Sequence, residues 1–210
     1  MIVLPNMLMI GSAGRNAGKT ELACSLIRRF SEQNKIVAVK VTAIHERDGT
    51  CPRGGIGCGV CSSLEGDYCI TEETDRTRPK DTARLLTAGA ERVYWLRVLK
   101  ARMAEGLKAL LTMIGRDAII ICESNSLRLV ADPGVFVMVK SGHSDHYKQS
   151  AEDVKHLADR TVSFDGVGFD IDPDEIKLID GRWVLRLPAT AIILAGGRSE
   201  RMGRDKGLLP

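Results

Sequence analysis

Gly18, Lys19 and Thr20 stand in the order that ends a phosphate-binding P-loop, within the stretch MIGSAGRNAGKTELACSLIRRF. Glycines in such a loop let backbone N–H groups turn inward around phosphate oxygens. The helix that follows adds unpaired N–H groups and a partial positive charge. Lys19 would reach the β- and γ-phosphates, and the Thr20 hydroxyl would hold Mg2+. Gly14, Arg15, Asn16, Ala17 and Glu21 complete the candidate nucleotide-binding set. The pattern G-x-x-x-x-G-K-[ST] asks for glycine where this chain has Ala13. Gly11 and Gly14 flank that position and offer the loop a different path. The competing reading is a chance G-K-T at a helix start; a strand before it and a helix after it favour phosphate binding.

A magnesium-dependent site also needs an acid. IIICES places Glu123 at the end of a buried strand, where its carboxylate could meet the metal through water; an ordinary strand-end acid is the competing reading. Lys19 and Glu123 are the candidate catalytic pair.

A second constellation is CPRGGIGCGVCSSLEGDYC, with Cys51, Cys58, Cys61 and Cys69 separated by six, two and seven residues. One C-x-x-C chelates a single ion, and four thiolates would close a tetrahedral Zn2+ site or hold an iron–sulfur cluster. A metal would also stiffen a long loop of little regular structure. Free thiols and a disulfide are the alternatives. Cys24 and Cys122 fall in apolar elements and read as packing residues. His143 and His146 lie in a polar stretch and read as a solvated loop rather than a metal pair. Lys140, Ser141 and Asp145, after a late strand, are candidate neighbours of a guanine base.

Stepping outward, the elements that must hold these residues alternate in type. Met7–Ile10 and Ile36–Val41 read as strands, and Thr20–Phe30 as a helix with Leu22, Ala23, Leu26, Ile27 and Phe30 on one face. Residues 45–75 fit neither period. Asp81–Ala88 reads as a short helix, Val93–Leu96 as a strand and Lys100–Ile114 as a helix. DAIIIC (117–122) and VFVMVK (135–140) are continuous apolar runs, the mark of strands covered on both faces. A helix is expected near Ser150–Ala158, then a hairpin turning at Asp180-Gly181. This alternation predicts an α/β, three-layer fold with a mostly parallel sheet, a cysteine-rich insertion and a C-terminal hairpin. Trp95 and Trp183 read as strand packing.

Composition narrows the partners. A net charge of +3 over 210 residues argues for neither nucleic acid nor membrane. No apolar run approaches the ~20 residues of a bilayer span. The opening MIVLPNMLMIG lacks a basic lead and reads as strand rather than signal peptide, so the expected setting is cytoplasmic and reducing.

Three further blocks carry a family resemblance. KVTAIH (40–45), RPKDTARLLTAGAERVYWL (78–96) and IIICES (119–124) follow the phosphate loop in order. This succession resembles the GTP-binding adaptor family of molybdenum cofactor biosynthesis, commonly called MobB, over about residues 5–140. That family has a P-loop, a strand leading to a Lys-His segment, a Lys-Asp-Ser/Thr-x-Arg helix ending Ala-Gly-Ala, and a strand ending Glu-Gly. Lys80, Asp81, Thr82, Arg84, Ala88, Gly89 and Ala90 match the third element. Glu123 matches the acid of the fourth, Ser124 replaces its glycine, and His45 alone represents a segment richer in histidine in the family. The cysteine insertion is not part of the family pattern. The resemblance implies GTP-Mg2+ binding with slow or no hydrolysis in the absence of a partner, and a homodimer. It makes Lys80, Asp81 and Arg84 candidate contacts to molybdopterin or to a partner; a solvated helix face is the alternative.

LAGGRSERMGRDK near the end resembles the opening signature of the MobA guanylyltransferases. Leu194, Ala195, Gly196, Gly197, Ser199, Arg201, Met202, Gly203 and Lys206 match it, with Gly196, Gly197, Arg201 and Lys206 forming the nucleotide-wrapping loop. Small residues permit close backbone approach, and the basic ones offset phosphate charge. The expected organisation is a GTP-binding domain at 1–188 followed by a transferase start at 189–210, too short to transfer GMP. The MobA-type transferase is then the expected partner. Two other readings remain: a nucleotide-gated metal or iron–sulfur carrier using the cysteine loop, and an ATP-dependent small-molecule kinase.

Overall fold

The computed structural model describes residues 1–44, 64, 66–142 and 146–186. Continuous apolar runs become the centre of a seven-stranded sheet. Its strands are β1 (Ile2–Ser12), β2 (Ile36–Ile44), β3 (Tyr68–Glu72), β4 (Arg92–Leu99), β5 (Ile119–Glu123), β6 (Ala131–Ser141) and β7 (Arg160–Phe164). They lie in the order β3-β4-β2-β5-β1-β6-β7, all parallel to their neighbours except β3. A parallel sheet needs cover on both faces because each strand is apolar on both. Helices α1 (Lys19–Ser31) and α2 (Asp81–Thr87) cover one face, burying Leu22, Leu26, Ile27, Leu85 and Leu86 against Leu8, Ile10, Ala38 and Ile121. Helix α3 (Met103–Ile114) and the short α4 (Gln149–Glu152) cover the other, with Met103, Leu107, Leu110 and Ala151 against Met7, Met9, Leu96 and Phe136.

The hairpin of β8 (Ile176–Ile179) and β9 (Arg182–Leu185) turns at Asp180 (φ 48°) and Gly181 (φ 72°), both left-handed, as a two-residue primed turn requires. It buries Trp183 under the α1 face, edge-on to Phe30 at 4.9 Å, with the indole N–H donating to the Asn6 carbonyl at 3.1 Å.

The fold class is therefore α/β with a mostly parallel sheet, and several boundaries differ from expectation. Strand β1 begins at Ile2 and β6 at Ala131, because β6 pairs with β1 again before the register shift between Leu4 and Leu8. Strand β3 lies inside the stretch that fitted neither period. The helix expected near Ser150–Ala158 is instead a single turn, α4, followed by a 3-10 turn at Lys155–Leu157. Of its first residues only Ala151 and Val154 are fully buried, and Asp159 then pairs with the backbone of Phe136. β7, absent from the sequence reading, follows directly. The boundary near residue 188, the cysteines Cys51, Cys58 and Cys61, and Gly196, Gly197, Arg201 and Lys206 lie outside the described residues.

Candidate functional site

The carboxyl ends of β1, β5 and β2 meet the start of α1. Ile10 pairs with Glu123 across β1 and β5, and Glu123 pairs with Lys40 across β5 and β2, so the three form one row across the sheet. Open parallel sheets bind ligands beyond these carboxyl ends.

The loop between β1 and α1 is fixed at its root. Ala13 donates its N–H to the Val139 carbonyl at 2.8 Å and accepts from the Lys148 N–H at 2.8 Å. Its side chain is buried and its φ is not positive, so alanine serves where glycine is customary. Gly11 and Gly14 do not supply the turn either, since neither has a left-handed backbone. Asn16 (φ 55°) and Gly18 (φ 89°) do, on either side of Ala17. Alternating signs of φ make a concave run of amides, the arrangement that cradles anions.

Gly18 is also the N-cap of α1 and carries no side-chain cap. The first helical bond runs from Leu22 N–H to the Gly18 carbonyl at 3.0 Å. The N–H groups of Gly18, Lys19, Thr20 and Glu21 make no hydrogen bond to a described residue. Phe164, at the end of β7, lies against Gly18: a Cβ added there would fall 2.6 Å from the ring.

Lys19 lies near enough to Glu123 for their charges to interact. Burial pushes the Lys19 amine below the ordinary lysine range; Glu123 and Asp81 oppose that shift, and Lys40 reinforces it. Glu123 is 1% exposed, and neither carboxylate oxygen has a hydrogen-bond partner among the described residues. A buried carboxylate without partners is costly unless a cation meets it. Beside this group, Lys40 is ion-paired with Asp81, and Arg84 with Glu21, tying α2 to β2 and to α1. Burial raises the Asp81 pKa, but the Lys40 hydrogen bond and charge more than offset it, leaving the carboxyl below its usual range.

Candidate residues Gly14 to Glu21 and Glu123 are thus brought together, and Asp81 and Arg84 join them through their ion pairs. Lys80 is exposed. Cys24 and Cys122 are buried core thiols, and burial pushes both upward in pKa. Cys69 is half-buried on β3, its sulfur accepting from Arg97 at 3.1 Å. No group of three potential metal ligands occurs among the described residues. Lys140 and Ser141 end β6, and Ser141 pairs with Phe164. His146 is exposed, while His45, His143 and Asp145 are outside the described residues.

Three residues escaped the sequence reading. Lys40 had a signal, a charge inside the apolar run IVAVKVTAI. Asn125 clamps the loop, its side chain accepting from Ser12 N–H at 2.8 Å and donating to Ser12 C=O at 3.0 Å. Phe164 had no local signal, because its role depends on a contact with a distant glycine.

The fold and site define an α/β protein with a mostly parallel sheet and a cluster of charges at the sheet's carboxyl end. No family model, curated protein or solved structure matches the chain. No described helix is long and apolar enough to cross a membrane.

Proposed function

We propose that the chain is a P-loop domain that binds GTP with Mg2+ and serves as an adaptor for a molybdopterin guanylyltransferase, as the MobB resemblance implies. The observation that carries the nucleotide reading is the pairing of uncapped amides at Gly18–Glu21 with Lys19 in the electrostatic neighbourhood of buried Glu123, which has no hydrogen-bond partner among the described residues. The amide N–H groups donate to phosphate oxygens at the helix N-terminus. Lys19 neutralises the terminal phosphates, and contact with them offsets its desolvation. The Thr20 hydroxyl and the Glu123 carboxylate are the residues that would hold Mg2+, with Glu123 acting through water. The metal, when bound, offsets the charge that builds on the phosphate oxygens. Turnover without a partner is slow, because the nearby carboxylates are committed: Asp81 to Lys40, Glu21 to Arg84, and Glu123 to the metal.

Guanine preference, molybdopterin, the MobA-type partner and the homodimer rest on the resemblance alone. Lys80, Asp81 and Arg84 would face that partner. Titration calorimetry of the full chain with GTP-Mg2+ and ATP-Mg2+ tests the core of the proposal. Lys19→Ala is expected to weaken GTP by about 100-fold or more, in line with loss of charge-assisted contacts in a half-buried site, while circular dichroism stays unchanged. Absence of binding to either nucleotide by the unmodified chain would end the reading; equal affinity for both would remove guanine from it. Cys51, Cys58, Cys61 and Cys69 are proposed to bind zinc or an iron–sulfur cluster. Elemental analysis of anaerobically purified protein should find stoichiometric metal that is lost when the four are changed to serine.

A further inference from the structure

Two lysines belong to the neighbourhood of Glu123. Lys19, at the start of α1, interacts with its charge, and Lys40 stands on β2 opposite Glu123 in register. Lys40 lies on the sheet face that α1 and α2 cover, the face of Ala38 and Ile36, two and four residues before it. Its charge acts on Lys19, so the two amines share one electrostatic neighbourhood. Glu123 has no hydrogen-bond partner among the described residues, and Lys40 is held by Asp81, the first residue of α2. Lys40 is 23% exposed at its side chain and Asp81 is 42% exposed, so the pair faces the opening beyond the sheet and is not sealed in the core.

Asp81 gives Lys40 one anionic partner, and the pair lies at the carboxyl end of the sheet, where an incoming anion can compete for the amine. A lysine in an otherwise apolar central strand is costly unless its amine meets an anion. Resting on the phosphate-site reading above, we infer that Lys40 senses the third phosphate: it leaves Asp81 for the terminal phosphate of a nucleoside triphosphate and stays with Asp81 when a diphosphate binds. The row Ile10–Glu123–Lys40 sets the order of contacts. The inner phosphates sit over β1 and the α1 amides, and only the terminal phosphate extends past Glu123 toward β2. A terminal phosphate carries more charge than one carboxylate and outcompetes it for an ammonium. Release of Asp81 removes one of the two ion pairs that tie α2 down among the described residues, leaving Arg84 with Glu21. Helix α2 thereby becomes the element that reports which nucleotide is present, and by linkage a partner gripping α2 changes triphosphate affinity.

The test measures dissociation constants of GTP-Mg2+ and GDP-Mg2+ for the full chain and for Lys19→Ala, Lys40→Ala, Lys40→Arg and Asp81→Asn. Lys40→Ala is expected to weaken GTP about 10- to 100-fold and GDP by less than about twofold, from loss of a charge-assisted contact to one phosphate only. Lys40→Arg keeps most of the GTP affinity. Asp81→Asn tightens GTP severalfold, because Lys40 no longer has to leave a carboxylate. Hydrogen exchange at α2 amides should rise with GTP and stay low with GDP. Equal weakening of GTP and GDP by Lys40→Ala, or no weakening of either, overturns the inference while the phosphate site stands, provided Lys19→Ala loses both nucleotides. Loss of GTP affinity in Asp81→Asn equal to that in Lys40→Ala makes the pair a structural tie and also overturns it. If the unmodified chain binds neither nucleotide, the phosphate-site reading and this inference fall together.

Discussion

Replacing Gly18 by alanine tests whether the loop geometry depends on a single missing side chain. Gly18 has φ 89° and ψ 9°, a left-handed conformation that costs an L-residue about 1–2 kcal/mol. An added Cβ would lie 2.6 Å from both Cδ1 and Cγ of Phe164 and 3.0 Å from its Cβ. Rotating the ring cannot relieve contacts at Cγ and Cβ. Retreat is also limited: the Phe169 ring stacks on Phe164 at 4.7 Å, and the Phe164 carbonyl accepts from Gly142 N–H at 2.9 Å. Overpacking of this kind costs about 1–3 kcal/mol. The two effects together predict a loss of about 2–5 kcal/mol. With a urea dependence of about 2 kcal/mol/M, the midpoint of unfolding should fall by about 1–2.5 M with no change in slope. Gly14→Ala is the matched control. Nothing lies within 4 Å of its added Cβ, and its backbone is not left-handed, so it should be neutral or stabilising by about 0.4–1 kcal/mol. In Gly18→Ala with Phe164→Ala the steric part disappears, so the double variant should lose about 1–3 kcal/mol less than the sum of the two singles. Equal midpoints for Gly14→Ala and Gly18→Ala, or strict additivity in the double variant, would refute the reasoning.

Two further outcomes follow from the same region. Asn125→Ala leaves the buried Ser12 N–H and carbonyl without their partners, a loss of about 2–4 kcal/mol; exchange at the Ser12 amide should accelerate. Asn125→Asp keeps the acceptor for Ser12 N–H but sets a buried carboxylate oxygen against the Ser12 carbonyl, and should lose at least as much. Asp81 titrates below its unfolded value near 3.8 because Lys40 holds it charged. Its contribution is therefore complete above about that pH and lost as pH falls through the folded value. The gap in urea midpoint between the unmodified chain and Asp81→Asn should narrow as pH falls from 6 to below 3.8; a gap that does not narrow over that range would show that the ion pair is not its source.

The parts of the fold that were legible in the sequence are those set by local pattern. DAIIIC and VFVMVK could only be strands covered on both sides, and Asp180-Gly181 could only turn tightly. The G-K-T triplet between a strand and a helix and the acid at the end of IIICES are the local signals that meet in the candidate site. What escaped depends on partners far away in sequence. β3, with Tyr68 exposed and Cys69 and Ile70 half-buried, is an edge strand whose pairing with β4 is antiparallel, so it shows neither the apolar run of a central strand nor a clean alternation. β7 is short and only Val162 is fully buried. The loop was read as needing a glycine near Ala13. The structure places its left-handed residues at Asn16 and Gly18, because residue 13 continues the pairing of β1 with β6 through its hydrogen bond to Val139. Lys40 was visible as an oddity in an apolar strand, yet only the register with Glu123 and the ion pair with Asp81 give it a place in the site.

That bond from Ala13 to Val139 sets a timetable. β1 precedes the other described strands of the sheet in sequence, yet it sits between β5 and β6, which follow more than a hundred residues later. A nascent chain that has left the ribosome only as far as α3 has the loop's residues without either flanking strand or the Asn125 clamp. Pairings this remote in sequence form slowly. The cradle at Gly18 therefore comes into being late, and any molecule that settles there selects chains whose sheet is already whole.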